Sequence, residues 1–258
     1  LILWDLEAGA EVRRLEGHVS LVRAVAFLPD GNRALAGSQI VGENTIGDLI
    51  LWDLESGEKI RTYDITHDVA DIAITSNGDL ALTGSVSEFA VILWDVESGE
   101  QVRRFAGHTA PVINVAFGPG DDIAFASGVD GTVHAWDVET GELIRRFESN
   151  DVGGFALDVS PDGRIVMYGS ASGGVTLWDF ETAEVLHRFA VHEAYVFDVA
   201  FHPDGSRLYT SGVDGKLIEW SGFDQSLEEL LDWIEDNRYV RELSCEERER
   251  YHLDLSGC

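Results

Sequence analysis

Tryptophan recurs along this chain at a fixed interval. Trp52, Trp94, Trp136, Trp178 and Trp220 stand 42 residues apart, and Trp4 precedes Trp52 by 48. Asp follows in the first five cases, as Asp5, Asp53, Asp95, Asp137 and Asp179. A period of this length makes the chain an array of one small unit, each copy burying its apolar face against the next. Such arrays present surfaces more often than they carry chemistry.

Aligned on Trp, the copies share four signals. Before Trp is a tight turn between two apolar runs, Ser127-Gly-Val-Asp130-Gly131 and Ser211-Gly-Val-Asp214-Gly215. After it comes a second turn, Glu55-Ser-Gly57-Glu58, Glu97-Ser-Gly99-Glu100 and Glu139-Thr-Gly141-Glu142, with Glu7-Ala-Gly9 and Glu181-Thr-Ala183-Glu184 as weaker copies. A short strand such as Val102-Arg-Arg-Phe105 leads to Gly17-His18 or Gly107-His108. An apolar strand such as Val22–Phe27 or Val112–Phe117 then ends in a turn at Pro29, Pro161 or Pro203, or at Asn77-Gly78 or Pro119-Gly120. Asp-Gly between apolar runs signals a hairpin, because Gly accepts positive φ at no steric cost. Each unit therefore holds four short antiparallel strands without helical periodicity. A four-stranded sheet at this repeat length predicts a β-propeller blade, with strands apolar on both faces where sheets pack between neighbours.

Gly-His, Pro-Asp-Gly, Asp-Gly-Thr and Trp-Asp in this register resemble the WD-repeat family over residues 1–222. In that family a loop His, a turn Asp, the Trp and a strand Ser or Thr form a hydrogen-bonded set inside each blade. Carried over, the resemblance implies the sets His108, Asp130, Trp136 and His192, Asp214, Trp220, the latter with Thr210 or Ser211 as hydroxyl. His67 and Trp94 match in another copy, where Glu88 stands in the Asp place. His18 and Trp52 match in a fourth, where the insertion around 41–47 puts Asp48 out of register. The Trp178 copy departs most: Ser149-Asn150 replaces Gly-His and Ser172 takes the Asp place, so this blade is expected to be the least buttressed.

In the family's geometry the outer strand of a blade follows its Trp-Asp turn. The chain is then about 21 strands: the last two of one blade, four full blades and three strands of a sixth. Because Leu1 falls inside a repeat strand, the chain is expected to be part of a longer protein, preferably seven-bladed, with upstream residues or another chain closing the propeller. After residue 222 the pattern changes. Ser226-Leu-Glu-Glu229 and Ser244-Cys-Glu-Glu247 are capping boxes, so 223–258 is expected to be a helical tail packing on the propeller. Residues 237–251 resemble the tail that follows propellers in some large bacterial WD-repeat signalling proteins.

Composition narrows the partners. The net charge is −29, from 47 acidic against 18 basic residues. That opposes nucleic acid, which needs cationic side chains to replace phosphate counterions, and opposes anionic membranes. No apolar run is long enough to span a bilayer. The two cysteines, Cys245 and Cys258, exclude a disulfide framework and point to a reducing, cytoplasmic setting.

No metal-ligand, calcium-loop or phosphate-loop spacing is present, and no cofactor is expected. His, Asp and Ser recur together, but in several copies beside a Trp, whereas a catalytic set is single and lies in a cleft. The chain is therefore read as non-catalytic. Acid recurs after each Trp, at Glu55, Glu58, Glu97, Glu100, Glu139 and Glu142, which predicts one negative rim that keeps the chain soluble or, as the alternative, docks a basic partner. On the other rim, where the family usually binds peptides, the insertion (Val41, Glu43, Asn44) and the stretch with Asn150 and Asp151 are irregular loops on a regular scaffold. These are the candidate partner-binding loops. The expected function is a protein–protein interaction or sensor module of a larger bacterial signalling or effector protein. A structural subunit of a large assembly is the alternative, and an enzyme with a channel-mouth site a third.

Overall fold

The computed structural model describes residues 1–39, 47–149, 151 and 153–221. The expected helical tail, the cysteines, Val41, Glu43, Asn44 and Asn150 lie outside the described residues. The chain divides into two compact units, Leu1–Glu148 and the part from Ser149 onward. Among the described residues all regular structure is β.

The first unit opens with a hairpin, β1 (Ile2–Asp5) and β2 (Ala10–Arg14). Three four-stranded antiparallel meanders follow: β3 (Val22–Phe27), β4 (Arg33–Ser38), β5 (Leu49–Asp53), β6 (Lys59–Thr62); β7 (Asp71–Ile74), β8 (Leu80–Gly84), β9 (Val91–Asp95), β10 (Gln101–Phe105); β11 (Val112–Phe117), β12 (Ile123–Gly128), β13 (Thr132–Asp137), β14 (Leu143–Glu148). The second unit has one such meander, β15 (Gly154–Val159), β16 (Ile165–Ser170), β17 (Gly174–Asp179), β18 (Val185–Ala190), and a three-stranded sheet, β19 (Val196–Phe201), β20 (Arg207–Gly212), β21 (Leu217–Ser221). These all-β meanders have the form of WD-repeat propeller blades, and they reproduce the strand count expected from the repeat.

The apolar runs explain the layering. The two middle strands of each meander, such as β12 and β13, are buried almost throughout because both faces are covered. The outer strands alternate or lie open, as β6 does. Within each unit the wedge between successive sheets is the Trp of the later sheet. Trp52 packs with Leu3 and Leu15, Trp94 with Leu35 and Leu51, and Trp136 with Leu82 and Leu93. In the second unit Trp220 packs with Met167 and Leu177. Trp52, Trp94, Trp136, Trp178 and Trp220 are all at most 2% exposed, whereas Trp4 is 52% exposed. Removing one such buried indole costs about 3–5 kcal/mol, which is why the Trp interval is so regular.

The first strand pairs with a register break one residue in: between Val22 and Ala24, Val112 and Asn114, Gly154 and Ala156, and Val196 and Asp198. The skipped residue at each break is unpaired and its side chain is re-aimed. β7 pairs without such a break.

Candidate functional site

Each full sheet, and the three-stranded one, buries a polar network at the end where its loop meets the hairpin turn. In β19–β21 it has the expected form. His192 Nδ1 lies 2.9 Å from Asp214 Oδ1 and His192 Nε2 lies 3.1 Å from Thr210 Oγ1. The Trp220 Nε1–H donates to the same hydroxyl at 3.4 Å, so the hydroxyl in this set is Thr210. Gly212 makes room for the imidazole: a Cβ there would come within 2.5 Å of His192.

In β11–β14 the loop His and turn Asp also meet, His108 Nδ1 lying 3.2 Å from both Asp130 oxygens. Burial opposes that carboxylate, but the Thr132 hydroxyl, the Thr109 N–H and His108 together hold it down to about 2. The strand hydroxyl is missing, since Ala126 stands where β20 has Thr210, and His134 faces Ala126 across the sheet. His134 stacks on His108 at 4.2 Å and 14°, with Trp136 at 5.3 Å. Burial, then repulsion from His108, pushes His134 down to about 4, and burial also lowers His108 against the pull of Asp130. His108 Nε2, His134 Nδ1 and Ser127 Oγ are buried without a partner.

The other three networks differ from the pattern read off the sequence. Asp48 was expected to be out of register. Instead it lies 2.6 Å from His18 Nδ1, accepts the Ser38 hydroxyl at 2.5 Å and takes the Val19 N–H at 3.0 Å. Trp52 Nε1–H donates to His18 Nε2 at 3.3 Å, completing a Trp–His–Asp chain. The insertion changes the spacing along the chain and leaves the place in space occupied.

Glu88 was placed in the Asp position of the Trp94 sheet. The structure corrects this: Glu88 is half-buried and pairs with Arg104, and its carboxylate accepts none of the network's hydrogen bonds from Ser87 or the Ser85 hydroxyl. The acceptor is Asp68, the residue after His67, which takes the Ser85 hydroxyl at 3.0 Å and the Ser87 N–H and hydroxyl at 2.9 and 2.7 Å. Trp94 donates to Thr83 at 2.9 Å, and His67 stacks on Trp94 with its Nε2 unpartnered.

The Trp178 sheet makes the same exchange. Asp151, expected in a partner-binding loop, accepts the Ser172 hydroxyl at 2.6 Å and that of Ser170 at 3.2 Å. Tyr168 is fully buried against Trp178. The sheet expected to be least buttressed thus has a network of its own, with the carboxylate supplied from the loop and the hydroxyls from the turn.

The Asp of each Trp-Asp pair locks its own turn. Asp53 Oδ1 accepts the Ser56 N–H at 2.6 Å and hydroxyl at 2.8 Å, and Asp137 does the same for Thr140. The backbone N–H, then the hydroxyl, hold both carboxyls below their ordinary value. Beside them Glu55, Glu58, Glu97, Glu100, Glu139 and Glu142 are all exposed.

Two recurring contacts between sheets went unread in the sequence. Arg13 of β2 donates to the Ser56 carbonyl, and Arg103 of β10 to those of Thr140 and Glu139 at 2.9 and 2.6 Å. Arg61 of β6 lies against Gly99 in the same way. Arginine at the same place in Val12-Arg13-Arg14, Ile60-Arg61-Thr62 and Val102-Arg103-Arg104 was the available signal. Asp71 accepts the Val115 N–H at 3.0 Å, and Asp158 that of Phe201 at 2.6 Å, each tying one first strand to the next. Burial and the nearby Asp198 push Asp158 up to about 6 in spite of two N–H donors. An Asp inside an apolar strand was the signal here.

Comparison with known families gives one match. The WD domain, G-beta repeat model matches residues 9–42, 99–137 and 183–221. These matches support a WD-repeat family. Comparison with curated proteins gives no match at a significant level. Each matched WD segment runs from the outer strand of one sheet or hairpin into the next sheet. The matched segments include Trp136 and Trp220 and leave Trp4, Trp52, Trp94 and Trp178 outside them.

Among the described residues no group of three His, Cys, Asp or Glu side chains could hold a metal ion. No helix there is long and apolar enough to cross a membrane.

Proposed function

We propose that this chain is a non-catalytic protein-interaction or sensor module of a larger bacterial signalling or effector protein, working in the cytoplasm. WD-repeat domains typically bind proteins and typically lack catalysis. One observation carries the reading: the His, Asp, Ser and Thr that could do chemistry recur in sheet after sheet and are bonded inward beside a buried Trp. A reacting group must instead converge on an open cleft. What remains outward is the exposed Glu rim and the loop face, which suit a protein or peptide, including a basic one.

A second reading, a structural subunit, is favoured by one feature. Trp4 and Leu6 of the first hairpin and Val25 and Phe27 of β3 are 52–92% exposed, apolar surface that another protein would cover.

The test is a peptide array probed with the purified chain in low and high salt. The expected result is a discrete set of retained peptides, the basic ones lost when Glu55, Glu97 and Glu139 are changed to Lys. Retention no better than that of an unrelated acidic protein would sink the reading.

A further inference from the structure

One guanidinium in the second unit lacks the partners that the repeat supplies elsewhere. Arg188 of β18 stands where β10 has Arg104 and β14 has Arg146. Arg104 pairs with Glu88, and Arg146 with Glu148 at 3.4 Å. In the Trp178 sheet Ser172 stands at the place of Glu88 and Ala190 at that of Glu148. Arg188 has no ion-pair partner among the described residues. Beside it lies a cavity of about 200 Å³, lined in part by Asp151, Ser172, Gly174, Thr176, Arg188 and Ala190. Thr176 pairs with Arg188 across β17 and β18. The other full sheets and the three-stranded one have Ile50, Ile92, His134 or Ile218 at its place. The space thus exists because the side chains at 172, 176 and 190 are shorter than those used elsewhere in the array.

The lining has two signs of charge. Arg188 offers a planar fork of N–H donors that matches a carboxylate, with the Thr176 hydroxyl on the same face. Toward the turn, Asp151 uses Oδ2 for the Ser170 and Ser172 hydroxyls, while Oδ1 takes no hydrogen bond from a described residue. Gly174 adds no side chain there: a Cβ would lie 3.2 Å from Asp151 Oδ2. Acid and base therefore line one cavity without pairing with each other. A phosphate would meet Asp151 at a cost, and a simple amine would meet Arg188. A neutral molecule would desolvate both charges and pair neither. Drug-sized ligands need roughly 300–1,000 Å³, so the occupant has few heavy atoms. A small molecule carrying a carboxylate and an ammonium group satisfies both ends.

We propose that this cavity binds a small free amino acid, its carboxylate on Arg188 and Thr176 and its ammonium group on Asp151. The site goes beyond protein binding and needs no partner protein.

The test titrates the full chain with L-alanine, acetate, ethylamine and inorganic phosphate, following the Thr176 methyl and the Arg188 Nε–H by NMR. L-alanine is expected to shift both signals. It should bind about 10-fold tighter than acetate or ethylamine, each of which forfeits one charged hydrogen-bonded contact. Three variants use residues that the array itself carries at these places. Ala190→Glu gives Arg188 the kind of partner that Glu148 gives Arg146. Gly174→Ala sets a methyl against Asp151, as Ala90 stands there in the Trp94 sheet. Each should weaken L-alanine about 10-fold. Thr176→Ile fills the cavity and should abolish binding. Unchanged thermal melts of the free variants verify their folding. Acetate, ethylamine or phosphate binding as tightly as L-alanine overturns the proposal. So does L-alanine binding indifferent to all three variants, or no shift at either signal. None of these outcomes bears on the peptide-array test of protein binding.

Discussion

At the scale of single residues, the repeat is most informative where one copy breaks the rule. Ala183 has φ +58 in the turn where Gly57, Gly99 and Gly141 have φ between +74 and +79. An L-residue held there is strained by about 1–2 kcal/mol, partly offset because Gly loses more freedom on folding. Ala183→Gly should therefore raise stability by about 0.5–1 kcal/mol, read by urea denaturation. His134 is the other exception. The facing residue in the sheets of Trp52, Trp94 and Trp220 is Ile50, Ile92 or Ile218. His134 titrates near 4 when folded against an ordinary 6.5. The unfolded chain therefore takes up the proton first, and stability drains away as pH falls from about 6.5 toward 4. His134→Ile should remove that loss, making the variant about 1–2 kcal/mol more stable than the parent at pH 5. An equal gain at pH 5 and pH 8 would show that packing alone is responsible.

At the scale of the element, stability comes from ties between sheets as much as from pairing within them. Arg103 bonds two carbonyls of the next sheet's turn. Arg103→Met keeps most of the stem and removes the donors, so it should cost about 1 kcal/mol and raise hydrogen exchange in the 139–142 turn. Exchange unchanged there would mean the contact only follows the packing. Strands and turns were legible in the sequence because their causes are local: apolar runs such as Val112–Phe117, and Asp-Gly or Pro-Asp-Gly where the chain reverses. The sets built on His108, His192 and their turn carboxylates were legible because loop and turn keep a fixed spacing. Asp68 and Asp151 were not, because one point in space can be reached from either of two loops. A pattern that assigns the carboxylate to the turn then chooses Glu88 or finds only Ser172. Asp48 was missed for a related reason: register was counted along the chain, whereas its carboxylate meets His18 in space. The Arg and Asp158 ties join residues 36–43 apart and show in sequence only as an unexplained charge in an apolar strand.

At the scale of the molecule, acid acts on the two units in opposite directions. In the first, the buried imidazoles of His108 and His134 are held below their ordinary value, so acidification below about 6.5 favours the unfolded chain. In the second, Asp158 is held up at about 6 against an ordinary 3.8. Between those values the folded unit binds more protons than the unfolded one, so it gains stability as pH falls from about 6 toward 4. Protonation also relieves the repulsion of a chain carrying −29, but that relief reaches both units, so their difference isolates the buried groups. Hydrogen exchange at pH 7 and pH 5, corrected for intrinsic rates, should show protection falling in β11–β14 and rising in β15–β18. Asp158→Asn removes the charge and keeps an oxygen for the Phe201 N–H, while its amide nitrogen replaces the oxygen that accepts the Val159 N–H, which offsets part of the gain. It should stabilise the second unit by about 1–2 kcal/mol at pH 7, with the gain shrinking at pH 5. If both units shift alike, or Asp158→Asn helps equally at both pH values, long-range charge and not these two buried sites governs the response to acid.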